Sequence, residues 1–547
     1  MNAVIQSPNS PSRNSQRVVL IALLLVAMAF ATLTDGNWQW NGTPARVVLA
    51  LLGTAAFAAL WKLTTLPVTH DDTTPASAPT PPDDLRGASE LPVFFASQTG
   101  TAETLARQTA EQLSRAGQAA RARSLEDLGR EEFETLRRAL FIVSTTDEGD
   151  PPYPIAGFVR RVLEASADLS QLQFGLLALG DSYYDTFCGF GRRLDGWLIA
   201  QGATPVFARI DVDDNDPKAL AVWQERMAEW AGASLSAPSA ASAFHLWRLC
   251  ARKELNPGSL GEPVFRIDLQ PMEGTVPNWR AGDIAEILPR HAETVVNAWL
   301  ATTQLDGNTR LPNDDQCLRE RLSRSELPAV DQVRGQTALQ VAQTLVALRH
   351  RDYSIASLPA DGRIELVIRQ GRRPDGSVSL GAGWLTQHAS ADDVIELRLR
   401  SNSNFRAPAD STPLILIGNG TGLAGLRALL RERVAQGRLR NWLIFGERQR
   451  ARDFYYGDEL EAALAKGQLA HMDLAFSRDT PDRFYVQHCL DANAERLREW
   501  VNAGAWICVC GSQEGMAGAV DASLCRHLGD ATVQSLIETG RYRRDVY

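Results

Sequence analysis

Four times along this chain a short run of apolar, β-prone residues breaks off into a turn crowded with Gly, Ser, Thr or Asp. Residues 92–96 stop at Ser97-Gln98-Thr99-Gly100-Thr101, residues 141–144 at a Thr/Asp/Gly/Pro stretch, residues 176–179 at Gly180-Asp181-Ser182, and residues 413–417 at Gly418-Asn419-Gly420-Thr421-Gly422. The first and the last turn lead into helical patterns at residues 102–116 and 423–436. A strand that hands over to a helix through such a turn presents free backbone N–H groups beside hydroxyls, which is a cradle for phosphate. In an open parallel sheet the carboxyl ends of the strands share one crevice, so the first three turns are expected to converge. The chain therefore reads as multidomain α/β, opening with a doubly wound domain.

At 547 residues the chain outgrows one hydrophobic core, and three or four domains are expected. A net charge of −9 without a dense Lys/Arg cluster disfavours nucleic acid as a partner. Seven scattered cysteines without a Cys-x-x-Cys pair, and eight histidines without ligand spacing, point to a reducing compartment and to no metal. Residues 18–33 and 47–61 are uncharged apolar runs joined by a turn with Trp38, Trp40 and Pro44, and read as a transmembrane helical hairpin within residues 1–65. A cleaved signal peptide is the competing reading, since Ala29-Phe30-Ala31 resembles a cleavage site. Arg13, Arg17 and Lys62 flank the pair, so the expected location is the inner (cytoplasmic) membrane with the catalytic domains facing the cytoplasm. Residues 66–90, rich in Thr, Pro, Ser and Asp, read as a flexible linker, and a Ser/Ala-rich seam follows residue 232. The expected domains are residues 91–232, 243–408 and 409–547.

The first turn suits a single phosphate, as in FMN; the Gly-Lys-Ser/Thr of a triphosphate site is absent. Candidate ligands are Ser97, Gln98, Thr99, Gly100 and Thr101 on the first loop, and Ser144, Thr145 and Gly149 on the second. Leu179, Gly180, Asp181, Tyr184, Phe187 and Cys188 follow on the third, with Asp214 on a fourth. These motifs resemble the FMN-binding domain of the diflavin reductase family, in particular the flavoprotein (alpha) subunit of NADPH-sulfite reductase and the NADPH-haemoprotein reductases. The resemblance implies a flavodoxin-like fold, a flavin ring stacked on Tyr184 and a loop over residues 144–149 that wraps it. At Thr146-Asp147 the chain departs from the family's aromatic-Gly or Gln-Gly pair, which implies a less covered ring face. Asp147, Glu148, Asp150, Asp181, Asp185, Asp211, Asp213 and Asp214 would surround the flavin edge and steer a basic electron acceptor.

Farther on, residues 264–270 alternate like a strand, and residues 278–288 resemble the hairpin of a ferredoxin-reductase-type FAD barrel, with Ala281-Gly282-Asp283 as its turn. Residues 292–345 look like a short helical insertion, and a shorter insertion than the family's implies a different setting of the two flavins. Arg351-Asp352-Tyr353-Ser354 matches the family's Arg-x-Tyr-Ser. By that resemblance Arg351 neutralises the FAD diphosphate, Tyr353 covers the flavin and Ser354 reaches its N5. Gly381-Ala382-Gly383-Trp384 reads as a turn whose backbone approaches the same diphosphate, without the hydroxyls the family often carries. Gly420 and Thr421 match the family's NADP loop, while Ser477, Arg478, Arg483, Tyr485 and Gln487 match its 2′-phosphate and adenine contacts, where Arg forks onto phosphate. The resemblance makes Ser354, Cys510 and Asp545 the polar set for hydride transfer and the terminal Tyr547 the shield over FAD; a core plug is the plainer reading of that ring. Cys508 is expected to face away from Cys510, which argues against a redox disulfide.

The resulting expectation is a membrane-anchored NADPH-dependent diflavin oxidoreductase passing electrons from NADPH through FAD and FMN to a protein acceptor such as a haemoprotein. The apolar hairpin favours a membrane-associated acceptor. The Arg544-Asp545-Val546-Tyr547 ending and the first loop instead suit the flavoprotein component of assimilatory sulfite reductase. A non-catalytic flavin- and NADPH-binding redox sensor is the alternative of another class, and the presence of Cys510 and Asp545 argues against it.

Overall fold

Strands β1 (Leu91–Ala96), β2 (Ala120–Ser124), β3 (Arg138–Ser144), β4 (Gln173–Gly180), β5 (Thr204–Pro205) and β6 (Ile210–Asp213) form a parallel sheet. Their order is β2-β1-β3-β4-β5, with β6 also paired to β4. Helices α1 (Thr101–Arg115), α2 (Gly189–Ala200) and α3 (Pro217–Ala231) accompany it. Phe94, Phe141 and Phe174 fill one face and Val93, Leu140 and Trp223 the other, so β1, β3 and β4 read as continuous apolar runs rather than alternating ones. The chain reverses its winding direction between β1 and β3, and the crevice at their carboxyl ends is where this order of strands takes a mononucleotide.

In this computed structural model the described residues are 90–146, 149–182, 185–232, 244–272, 278–312, 316–373 and 376–547. The two apolar runs, the linker before residue 90, the seam at 233–243 and Asp147, Glu148, Tyr183 and Tyr184 lie outside the described residues. Among the described residues no helix is long and apolar enough to cross a membrane. The inner-membrane location expected from the sequence is corrected on that finding.

A second sheet is antiparallel: β7 (His245–Glu254), β8 (Val264–Pro271), β9 (Ile284–Ile287), β10 (Arg351–Ser354), β11 (Ile364–Arg369) and β12 (Val394–Arg400), in the order β10-β9-β12-β7-β8-β11. The hairpin expected at residues 278–288 is not formed, because β9 pairs with β10 and β12 while β8 pairs with β7 and β11. Gly282, at φ 91°, lies so close to the Phe405 carbonyl that a side chain there would collide with it. Phe405 follows β12, the strand with which β9 pairs. Helices α4 (Glu293–Thr303), α5 (Leu318–Ser323) and α6 (Ala338–Thr344) close a small satellite core on Val296, Leu300, Leu318, Leu322 and Val341.

The third sheet is parallel, β15-β14-β13-β16-β17, from β13 (Leu414–Asn419), β14 (Asn441–Glu447), β15 (His471–Phe476), β16 (Trp506–Gly511) and the terminal β17 (Tyr542–Val546). Helix α7 (Leu423–Ala435) follows the glycine loop. The first sheet's domain packs on the terminal strand. Tyr153 meets Tyr542 edge-on at 5.7 Å, the Arg544 guanidinium lies 4.7 Å from the Tyr153 ring centre, and Arg160 pairs with Glu538.

Candidate active-site cleft

A cleft of about 950 Å³ opens where the three sheets meet. Thr99 reaches it from the first sheet's domain, Tyr353, Ser354 and Ala382 from the second, and Gly420, Thr421, Ser477, Arg478, Tyr485, Gln487, Asp545 and Tyr547 from the third. At one end the Ser354 hydroxyl donates to Asp545 Oδ2 at 2.8 Å, and the Cys510 thiol lies 3.6 Å from the same oxygen. β16 and β17 run parallel with Cys510 opposite Asp545, which is why residues so far apart in sequence share this corner. Burial holds the Cys510 thiol well above its ordinary range, and the Asp545 charge adds to that. Burial also raises Asp545, against the Ser354 and Cys510 hydrogen bonds and the Arg400 charge. The Tyr353 phenol is raised for the same reason. Tyr547 is no core plug: it is 58% exposed, its N–H donates to the Gly511 carbonyl and its hydroxyl lies 3.2 Å from Thr421 Oγ1. Cys508 corrects a sequence expectation. Residues i and i+2 of a strand share a face, and Cys508 packs in the same core as Cys510, both as free thiols.

Along the cleft, Gly418 and Gly422 press against the Cys510 carbonyl so closely that no Cβ fits, and Gly420 takes φ 57°. This places the glycine loop directly beside the corner formed by Ser354, Cys510 and Asp545. At the other end the Ser477 N–H donates to the Glu447 carbonyl at 2.9 Å and the Arg478 N–H to the Arg448 carbonyl at 2.8 Å, tying β15 to β14 where an adenosine phosphate would lie. Arg483 stands apart: it is exposed, at φ 48°, and is not on the cleft wall.

The FAD motifs also meet. Gly381 packs on Arg351, and a Cβ there would sit 3.2 Å from the Tyr353 hydroxyl. The expected Gly-rich turn is a helix start instead: Leu380–Gly383 is helical and Ser379 precedes it in extended conformation, so Gly381 and Ala382 offer helix-terminal N–H groups, while the Gly383 N–H donates to the Ser379 carbonyl at 2.7 Å. The Trp384 indole N–H is buried with no partner inside the protein, a donor suited to a ligand.

In the first domain, Gly100 at φ 92° caps α1, and its N–H donates to Ser97 Oγ at 3.0 Å. Thr101 opens the helix. Ser144 Oγ donates to the Ala96 carbonyl, and the Thr145 N–H donates to the Leu179 carbonyl, so all three loops converge. Thr145 Oγ1 is buried without a partner, again fitting a ligand. Gly149 lies against Thr186, and Gly180 against Phe187 and Cys188. Cys188 itself points inward: its thiol donates to the Ala178 carbonyl, and burial pushes it up to about 12. Both its backbone N and its thiol border Gly180 of the loop. Gln98 is engaged elsewhere as well, accepting from the Tyr153 N–H at 2.8 Å and donating to the Arg544 carbonyl at 3.2 Å.

Arg349, Arg400, Asn404 and Arg369 escaped the sequence reading because their partners are remote. Arg349 pairs with Asp181, Asp213 and Asp214, so part of the presumed acidic docking face is met by the chain's own cation. Arg400 donates to the Thr99 carbonyl and pairs with Glu286 and Asp352; Asn404 donates to the Ser97 and Gln98 carbonyls. Glu286, His350 and Asp352 are close enough to share a metal ion, but Arg398 and Arg400 already neutralise that cluster. Arg369, the fourth, faces the glycine loop.

Residues 93–230 match the Flavodoxin family and residues 416–522 the Oxidoreductase NAD-binding domain family. The chain is 27% identical to a protein named sulfite reductase [NADPH] flavoprotein alpha-component from Vibrio cholerae, over 84% of this chain and 88% of that protein. Proteins of the same name from Bacillus subtilis (28%, over 84% and 89%) and Neisseria meningitidis (28%, over 83% and 89%) are similar to the same extent.

Proposed function

This chain is a member of the diflavin reductase family, and from that and the geometry of the cleft we propose that it is the flavoprotein component of a sulfite-reductase-type system, taking electrons from NADPH and giving them to a haemoprotein partner. When bound, FAD and FMN supply the hydride acceptance and one-electron release that side chains lack. We assign FMN to residues 91–232, FAD to 243–408 and NADPH to 409–547. The observation that carries the reading is that Ser354, Cys510, Asp545 and Tyr547 meet at one end of a cleft whose other end is built by Ser477 and Arg478.

Each residue has a separable role. Arg351, Tyr353 and the helix start at Gly381–Gly383 hold FAD, while Gly420 and Thr421 let the nicotinamide nucleotide approach the backbone closely. Asp545 accepts the Ser354 proton in a hydrogen bond and orients that hydroxyl toward the cleft. Cys510, kept as a neutral thiol, offers a polarisable wall without charge. Tyr547 covers the flavin position and gives way to nicotinamide. Ser97, Thr99, Gly100, Thr101, Ser144, Thr145, Gly149, Leu179, Gly180 and Phe187 form the FMN crevice.

The test is to release and quantify both flavins from the purified full chain, follow NADPH-driven cytochrome c reduction, and then supply a sulfite reductase haemoprotein with sulfite. One FMN and one FAD per chain, with NADPH-dependent sulfide production, is the expected result. Flavin that stays oxidised while NADPH binds would favour the redox-sensor reading. Cytochrome c reduction without sulfide formation would leave a diflavin reductase with another haemoprotein as its acceptor.

A further inference from the structure

A trans peptide points its carbonyl and the N–H that follows in opposite directions, so whatever holds the carbonyls of a loop also aims its N–H groups. In the loop after β1 the carbonyls are held from another domain. The Asn404 side-chain amide donates to the Ser97 carbonyl at 2.7 Å and to the Gln98 carbonyl at 3.2 Å. Arg400, the last residue of β12, donates to the Thr99 carbonyl, and Gly100 packs so closely on the Ser401 carbonyl that no side chain fits there. The Ser403 hydroxyl donates to Glu103 in the first turn of α1. Residues 400–404, which follow the FAD-barrel sheet, thus touch every residue of the loop from 97 to 100.

The opposite side of those peptides is the one a phosphate would use. With the Ser97 and Gln98 carbonyls turned to Asn404, the N–H groups of Gln98 and Thr99 point away from it, while the Gly100 N–H is set on Ser97 Oγ at 3.0 Å. A donor on the carbonyl also polarises the peptide and strengthens its N–H. The Gln98 side chain ties the same loop to the terminal strand, accepting from the Tyr153 N–H and donating to the Arg544 carbonyl of β17. We propose that Asn404 is a positioning residue for FMN: supplied by the FAD barrel, it fixes two peptide groups of the phosphate loop, so that FMN binding and docking of the first domain are one coupled equilibrium. Such coupling is reciprocal, and docking raises FMN affinity by the same factor by which FMN favours docking. The inference rests on FMN occupying the crevice of the first domain as proposed above.

The full chain and two variants of it provide the test. The FMN dissociation constant is read from free-flavin fluorescence on dilution, and cleavage between residues 232 and 244 by limited proteolysis is timed with FMN bound and after FMN is removed. Asn404→Ala is expected to weaken FMN binding by about 3- to 10-fold, the worth of a neutral hydrogen bond, with the FAD content unchanged. Asn404→Gln, which keeps an amide donor, should recover part of that loss. In the wild type, removal of FMN should speed cleavage, and in Asn404→Ala the same removal should speed it by a smaller factor. An FMN dissociation constant equal to wild type in Asn404→Ala, a loss of FAD in step with FMN, or a wild-type cleavage rate indifferent to FMN would each overturn the proposal, and the last of these needs no variant to fold. A wild-type chain that retains FAD but binds no FMN would instead overturn the FMN assignment, and this inference with it.

Discussion

Tyr547 concentrates the chemistry of the cleft in one ring. It is tethered by its N–H to Gly511 and by its hydroxyl to Thr421, yet more than half exposed, so it can be displaced without disturbing the core. A nicotinamide that displaces it gains ring contact but gives up those bonds, and only a nucleotide anchored elsewhere does so readily. In the function proposed above, the 2′-phosphate of NADPH supplies that anchor. Tyr547→Ala is therefore expected to raise kcat/KM for NADH by about 10-fold or more while NADPH gains less, since a removed barrier of 1.4 kcal/mol is tenfold; an unchanged ratio of the two would refute the shielding role. Arg478→Ala should do the converse, raising KM for NADPH by about 10- to 100-fold and sparing NADH, because a charged hydrogen bond is worth roughly 1.5–3 kcal/mol. Equal losses with both nucleotides would remove Arg478 from the 2′-phosphate site. At the hydride end, Asp545→Asn keeps an oxygen for the Ser354 hydroxyl but removes the charge, and stopped-flow flavin reduction should slow with little change in NADPH affinity.

The loops between elements show how much of this was legible. Each strand that ends in a Gly- or hydroxyl-rich turn carries its signal within ten residues, so β1, β3, β4 and β13 and the loops after them follow from the sequence. Pairing does not. Residues 278–288 were expected to form a hairpin, whereas β9 pairs with β12, and Gly282 before it lies against the Phe405 carbonyl, more than a hundred residues away. The same distance hid the interdomain groups: Arg349 meets Asp181 across 168 residues, and Arg400 meets Thr99 across 301. Gly100 shows both levels at once. Its left-handed φ of 92° suits the turn, a local demand, whereas its closeness to the Ser401 carbonyl belongs to docking of the first domain. Gly100→Ala is expected to cost about 1–2 kcal/mol for the backbone alone, and to loosen that docking as well. Limited proteolysis should then cleave between residues 232 and 244 faster than in wild type; an unchanged rate would mean the Ser401 contact does not hold the domain.

At the scale of the molecule, two of the charged contacts between the first domain and the rest carry predictions. One is Arg349 with Asp181, Asp213 and Asp214; its side chains are between a quarter and two-fifths exposed, so salt should screen it. These carboxylates belong to the face expected to attract a basic acceptor, so the internal and external partners compete for it. Arg349→Ala is predicted to lower the apparent KM for a basic acceptor at low salt and to make small-angle scattering report a larger radius of gyration; a KM and radius equal to wild type would show that the seam is idle. The other seam is pH-sensitive. Glu126 faces Arg543 of β17, with Arg161 and Asp127 nearby, and burial, aided by Asp127 against the two arginines, raises its carboxyl from 4.5 to about 6. The folded protein thus holds that proton more tightly than the unfolded chain does. The resulting stabilisation is complete below pH 4.5 and is lost as pH rises through about 6, by roughly 2 kcal/mol at most. A glutamine cannot lose that proton, so Glu126→Gln should be more stable than wild type at pH 7.5, with the gap closing as pH falls toward 4.5. Thermal melts across that range check it, and two parallel curves would mean that Glu126 titrates freely and that Arg543 compensates for its burial.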